Sequence, residues 1–310
     1  MHGRTLDVIR AVTRDEAGKL KEAGERQREK ADKRNLYLLR EGSTFVIVCS
    51  LCIFTDRFLV ILPNTPAAEN LAPAEVEKRT TSFNARRALL RSNPSLYVSR
   101  TRLSIRQLPL FVTERMLKRL AIHAIRSFEA DVKAGTRTKL SEDELSEPLP
   151  DPDDPEVDVR RSTQKKSGHK HGRNTGVKQT KIVRQQDRID PVTGKGRSKG
   201  YGFLELEKHA DALRVLRWAN NNLEVGKLFS TWWKEELEDL VKAEKVKEKK
   251  EEGRLERLKQ EIENGPDKKA RATLIVEFSI ENIQVVKRRV AHQQEQHTVS
   301  SPSLRSQENS

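Results

Sequence analysis

The chain has 310 residues, room for two domains, but 35% are hydrophobic against 34% charged, so one packed core with long polar appendages is expected. A formal net charge of +14 predicts attraction to a polyanion, a nucleic acid ahead of an acidic membrane surface. The only cysteines, Cys49 and Cys52, exclude a disulfide framework, and without a second Cys or His pair at matching spacing their C-x2-C predicts an apolar role and no metal.

Residues 3 to 11 read Gly-Arg-Thr-Leu-Asp-Val-Ile-Arg-Ala, a strand pattern that is unstable without a sheet to join. Arg14 to Arg40 is dominated by Lys, Arg, Glu and Ala, which predicts a solvated helix or linker. From Thr44 to Leu62 an apolar run is interrupted by Asp56 and Arg57. Its unbroken part, Phe45 to Thr55, is short of the about 20 apolar residues a membrane helix needs, so a membrane role is disfavoured. A buried strand pair, or a segment foreign to the fold such as translated intron, are the other readings. After the break at Pro63-Asn64-Thr65-Pro66, residues 74 to 91 predict a helix ended by Ser92-Asn93-Pro94. Its Arg86, Arg87 and Arg91 either meet a nucleic-acid backbone or form a solvated face.

Leu103-Ser104-Ile105-Arg106-Gln107-Leu108 alternates as a strand, with Leu103 and Ile105 inward and Ser104 and Arg106 outward. Thr113 caps a helix whose Met116, Leu117, Leu120, Ala121, Ala124, Ile125 and Phe128 recur at three and four residue spacing. Residues 133 to 176 form an insertion, acidic and Pro-rich from Glu142 to Asp158 and basic from Arg160 to Arg173, expected to be disordered, with His169 and His171 in solvated loop. A second strand is expected over Val177 to Gln186, followed by a loop carrying Lys195 and Arg197.

Lys199-Gly200-Tyr201-Gly202-Phe203-Leu204-Glu205-Leu206 is the most informative stretch. In an extended strand Lys199, Tyr201, Phe203 and Glu205 share one face, while Leu204 and Leu206 point the other way. Unpaired bases stack on such rings while the ammonium meets phosphate. The stretch resembles the octamer K/R-G-F/Y-G/A-F-V-x-F/Y of the RNA recognition motif (RRM), matching from Lys199 to Phe203; Leu204 is a conservative change and Leu206 lacks the expected ring. A half-buried core strand is the alternative, disfavoured because apolar faces rarely carry a Lys in register with two rings.

Ala212, Leu213, Val215, Leu216 and Ala219 give a second helix, and Leu274 to Ser279 a last strand. Between them residues 223 to 272 hold Trp232 and Trp233, read evenly as a partner anchor or a cover for the domain edge. A charged stretch from Lys234 to Glu263 follows, whose sparse apolar stripe predicts a free solvated helix. The tail over 289–310 is expected to be disordered, and Lys287-Arg288-Arg289 hints at nuclear import.

The expected order is that of the RRM, an α+β, ferredoxin-like βαββαβ sandwich, over 101–288 with insertions near 133–176 and 223–272. Residues 1–11 resemble the remnant last strand of a preceding RRM, and 12–100 form a helical linker region containing the 44–62 run. Leu103 to Leu108 resembles the hexamer of the first RRM strand, with Ser104 where the family places an aromatic. That departure removes one stacking platform, worth about 1–3 kcal/mol per base. The run from Arg86 to Ala130, Lys181-Ile182-Val183-Arg184, the octamer and Leu274 to Arg289 resemble fungal-type nucleolar multi-RRM proteins of the nucleolar protein 4 family.

That resemblance implies a nuclear, nucleolar protein that binds pre-ribosomal RNA during large-subunit biogenesis, alongside assembly proteins. Tyr201, Phe203, Lys199, Arg106, Arg197 and Ser104 are the candidate RNA-binding residues. The alternative is a protein-interaction module of a ribosome-assembly complex with only weak, charge-driven RNA binding. No phosphate loop, H-E-x-x-H or nucleophile elbow occurs, so no enzyme, catalytic residue, metal or cofactor is assigned.

Overall fold

The structure, a computed structural model, describes residues 13–41, 71–146, 176–189, 194–246, 252–265 and 273–299. Four strands form one antiparallel sheet: β1 (Leu96–Arg106), β2 (Val177–Ile189), β3 (Gly196–Leu206) and β4 (Ile275–Asn282), in spatial order β2-β3-β1-β4. Before the sheet come α1 (Arg14–Ala31), a 3-10 turn (Leu36–Arg40) and α2 (Pro73–Ser92). After β1 come α3 (Glu114–Lys133) and the short α4 (Glu142–Leu145). Three helices lie between β3 and β4: α5 (His209–Ala219), α6 (Glu224–Val246) and α7 (Glu252–Asn264). The fold is α+β and RRM-like, with α3 and α5 as its two sandwich helices.

Thr113 caps α3, its hydroxyl accepting from the Met116 amide, and the helix buries Met116, Leu117, Leu120, Ala121, Ala124 and Phe128. These meet Leu103 and Ile105 of β1, Leu204 and Leu206 of β3, and Val276 and Phe278 of β4, all buried in one cluster. Each fully buried large apolar side chain contributes about 1.5–3 kcal/mol. This inner face therefore anchors the sheet, and period-2 alternation leaves the other face for function.

Several elements differ from the sequence reading. β1 begins at Leu96 and already buries Tyr97 and Val98. The stretch before it is no mere linker: Leu38 and Leu39 join the core, the Val98 amide donates to the Arg34 carbonyl at 2.9 Å, and Asn35 donates to the Val98 carbonyl at 3.2 Å. In the first insertion, residues 134–146 are described and carry α4, whose Glu144 shares Arg217 with Glu41 at 2.6 and 3.2 Å. Burial lifts the Glu41 carboxyl despite Arg217 beside it. At Glu144 burial pulls the same way, but the Arg217 hydrogen bond and charge outweigh it and hold the carboxyl low.

The stretch from Lys234 to Glu263 is not a free solvated helix: it belongs to α6 and α7 and buries Leu237 and Leu258. Val225, Phe229, Trp232, Trp233 and Leu237 line one side of α6 and are buried, as is Leu258 of α7. Trp232 meets His123 of α3 edge-on at 5.9 Å and Trp233 meets Phe111 at 5.7 Å, so the tryptophans cover the domain. The two indoles supply much of the apolar area that holds α6 against the domain. The tail also differs, forming α8 (Ile283–Val299). Asn282 starts it by accepting from the Gln284 amide at 2.8 Å, and the sequence has no Gly or Pro until Pro302.

Residues 1–11, expected as a remnant strand, the 44–62 run with Cys49 and Cys52, residues 147–175 of the first insertion, and residues 300–310 lie outside the described residues. Among the described residues no helix is long and apolar enough to cross a membrane, and no group of His, Cys, Asp or Glu could hold a metal ion.

Candidate nucleic-acid interface

Pairing register decides which side chains share the outer face. Ser104 of β1 lies opposite both Phe203 of β3 and Glu277 of β4, and Arg106 lies opposite both Tyr201 and Ile275. Lys181 of β2 lies opposite Phe203. Directly opposed residues project to the same side, so this face reads Lys181, Phe203, Ser104, Glu277 along one row. Gly202 faces inward, where a Cβ would come within 2.8 Å of the Lys181 carbonyl oxygen, so glycine is required by close strand packing.

Helix α2 covers the β4 side of this face. Ile275 and Ser279 point outward yet are only 4% exposed. Buried Arg79 of α2 donates to Asn220 Oδ1 at 3.1 Å and to the Leu274 carbonyl at 3.2 Å. Arg86 donates to the Phe278 carbonyl and Ser82 donates to Glu277. Near the start of α2, Glu75 accepts from Gln107 at 3.2 Å. Arg79 and Arg86 of α2 thus serve the β4 edge of the sheet, binding the carbonyl groups of Leu274 just before the strand and of Phe278 within it.

This arrangement claims one predicted site residue. Arg106 is paired with Glu277 at 2.7 Å and donates to Ser82, so its charge is met within the domain. Ser104 stands between Phe203 and Glu277, at the border of the covered strip.

The β3 side is open. Tyr201 and Phe203 are half-buried, with ring centroids 6.4 Å apart and planes at 84°. A base stacked on one ring therefore meets the edge of the other. Arg102, opposite Glu205 on the same face, holds its guanidinium 4.9 Å from the Phe203 centroid while pairing with Glu281 at 2.6 Å. Lys181, Arg197 and Lys199 are exposed, and among the described residues none of them forms an ion pair. Strand alternation does not carry Lys199 onto the platform unbroken. Ser198 pairs with Arg184 while Gly202 pairs with Ile182, so β3 bulges between them, with Gly200 at φ +77°.

Lys195, in the loop before β3, reaches Glu114 at 3.4 Å on the helix side, together with Arg184 at 3.1 Å. Burial pushes the Glu114 carboxyl up, but the Arg184 hydrogen bonds and the two positive charges outweigh it and hold it below its usual range. Sequence reasoning misses Arg102 and Lys181 as members of this face. Arg102 is accessible through alternation with Ser104 and Arg106; Lys181 requires the β2–β3 register.

RNA-binding protein 28 of Homo sapiens is 29% identical to the chain over 227 residues, which are 73% of this chain and 21% of that protein. The similarity supports an RRM-type domain without singling out the nucleolar protein 4 family. No family model matches, and no solved structure matches.

Proposed function

We propose that the domain binds single-stranded RNA on the β3–β2 half of its sheet. The observation that carries this is the pair of half-exposed rings, Tyr201 and Phe203, beside Lys181, Arg197 and Lys199, cations with no ion pair among the described residues. Bases stack on the rings and the Arg102 plane, and the lysines and Arg197 meet phosphate. The relative's name as an RNA-binding protein supports the same ligand class. The sequence resemblance adds the finer reading: pre-ribosomal RNA, bound in the nucleolus during large-subunit assembly, with binding and no chemistry as the task.

Each stacked ring is worth about 1–3 kcal/mol, so Tyr201→Ala with Phe203→Ala weakens oligonucleotide binding by about thirtyfold or more at fixed salt. Unchanged affinity in that titration contradicts the proposal. It would favour the protein-interaction reading, which the covered β4 strip and the missing ring at Ser104 also permit. Crosslinking in cells followed by sequencing of the attached RNA tests the finer part, with ribosomal precursor expected.

A further inference from the structure

We infer that the cleft between α1, the 3-10 turn and the end of α2 is a second RNA-backbone site, continuing the strand that stacks on Tyr201 and Phe203. The inference rests on the RNA-binding reading of the sheet and adds a site to it. The cleft holds about 330 Å³ and is lined by Arg28, Arg34, Arg87 and Arg91 around an apolar floor that includes Leu90, with Glu25 as its one acidic lining residue.

The arginines divide by their present partners. Arg34 is committed, pairing with Asp32 at 2.9 Å and donating to the Leu90 carbonyl at 3.0 Å, so it builds the floor. Arg87 faces Glu25 at 3.6 Å with both side chains about one-third exposed, a loose pair of the kind a phosphate displaces. Arg28 and Arg91 are exposed, and among the described residues neither forms an ion pair; Arg28 donates from Nε to the Gly24 carbonyl at 3.2 Å, one turn back on its own helix. Three available guanidinium planes over leucine suit a nucleotide, because arginine both grips phosphate bidentately and stacks on a base. An acidic peptide uses the charge alone and leaves the apolar floor idle.

Helix α2 joins this cleft to the sheet. Its Ser82 touches Arg106 and Glu277 at the border of the open face, and its Arg91 lines the cleft. Arg91 lies nine residue steps beyond Ser82 along the helix, about 14 Å at 1.5 Å per residue. A strand seated on the rings therefore reaches the cleft only when it is several nucleotides long.

The test uses the intact chain and oligouridylate of about four and about twelve nucleotides, both within the range of about 4–16 nucleotides that single-strand sites span. Arg28→Gln with Arg87→Gln and Arg91→Gln is expected to weaken the longer strand and to lower its log–log salt slope by about 2, at about 0.7 for each phosphate no longer neutralised. The shorter strand should bind that variant as it binds the wild type. Glu25→Gln should tighten the longer strand, an effect that misfolding cannot imitate. Equal binding of the longer strand by wild type and the triple variant overturns the cleft while leaving the sheet proposal standing. Competition by polyglutamate as effective as by oligouridylate of equal charge overturns it in favour of an acidic peptide. Failure of the wild type to bind either strand removes the parent reading and the cleft together.

Discussion

The positive residues at the two halves of the sheet's outer face have opposite fates. On the β4 side, Arg79, Arg86 and Arg106 are spent on Asn220, Glu277 and the carbonyl groups of Leu274 and Phe278 beneath α2. On the β3–β2 side, Lys181, Arg197 and Lys199 have no ion pair among the described residues. A count of positive residues cannot separate a cation that holds the fold from one that awaits a ligand. Partners and burial can.

The comparison breaks most visibly at Leu90, which is 2% exposed where α2 meets the 3-10 turn. Leu90→Ala should cost about 2–5 kcal/mol in denaturant unfolding. Lys181→Ala, on the open half, should stay within about 0.5 kcal/mol. Similar losses at the two positions would mean that α2 is not an integral cover.

Arg79→Ala comes next, removing charge-assisted hydrogen bonds to Asn220 and Leu274 for about 1.5–3 kcal/mol. The loss is tempered because Asn220 Oδ1 still accepts from the Val276 amide at 3.1 Å and the Leu274 carbonyl from the Asn221 amide. The folded fraction should bind RNA like the wild type, which anisotropy checks below the melting transition. For Lys181→Ala the effect lies in binding instead, with the salt slope falling by about 0.7. Arg106→Ala should leave that slope unchanged, because Glu277 already meets its charge.

The smallest effect is in acid. The Glu114 carboxyl is held below its ordinary value near 4.5, so it contributes stability above that pH and loses it as pH falls through the depressed folded value. Glu114→Gln should therefore lower the melting temperature at neutral pH, and the gap from wild type should close in acid. A gap independent of pH would assign the loss to packing.

How much of this was legible depended on whether the signal was local. The α3 stripe from Met116 to Phe128, the alternation around Leu103 and Ile105, and the octamer lettering are each written within one element. The α2 cover is not: Arg79 and Asn220 stand far apart in sequence, and an arginine that caps a buried carbonyl looks the same in sequence as one in solvent. The Lys181–Phe203 pairing was hidden because it depends on register, which the bulge at Gly200 shifts. Leu38 and Leu39 stand in a four-residue apolar run, Leu36 to Leu39, too short to mark a core element inside the charged segment from Arg14 to Arg40, and the sparse stripe of Lys234 to Glu263 does not show that Leu237 and Leu258 are buried.

The central claim is that RNA meets the β3–β2 half and leaves the α2-covered half undisturbed. Titrating the isotopically labelled chain with unstructured RNA and following amide and aromatic NMR shifts tests it most directly. Shifts at Lys181, Lys199, Tyr201 and Phe203 with Ile275, Ser279 and Arg79 unmoved are the expected result. Shifts concentrated on Ile275, Glu277 and Ser279, with α2 released and Tyr201 and Phe203 silent, would contradict it.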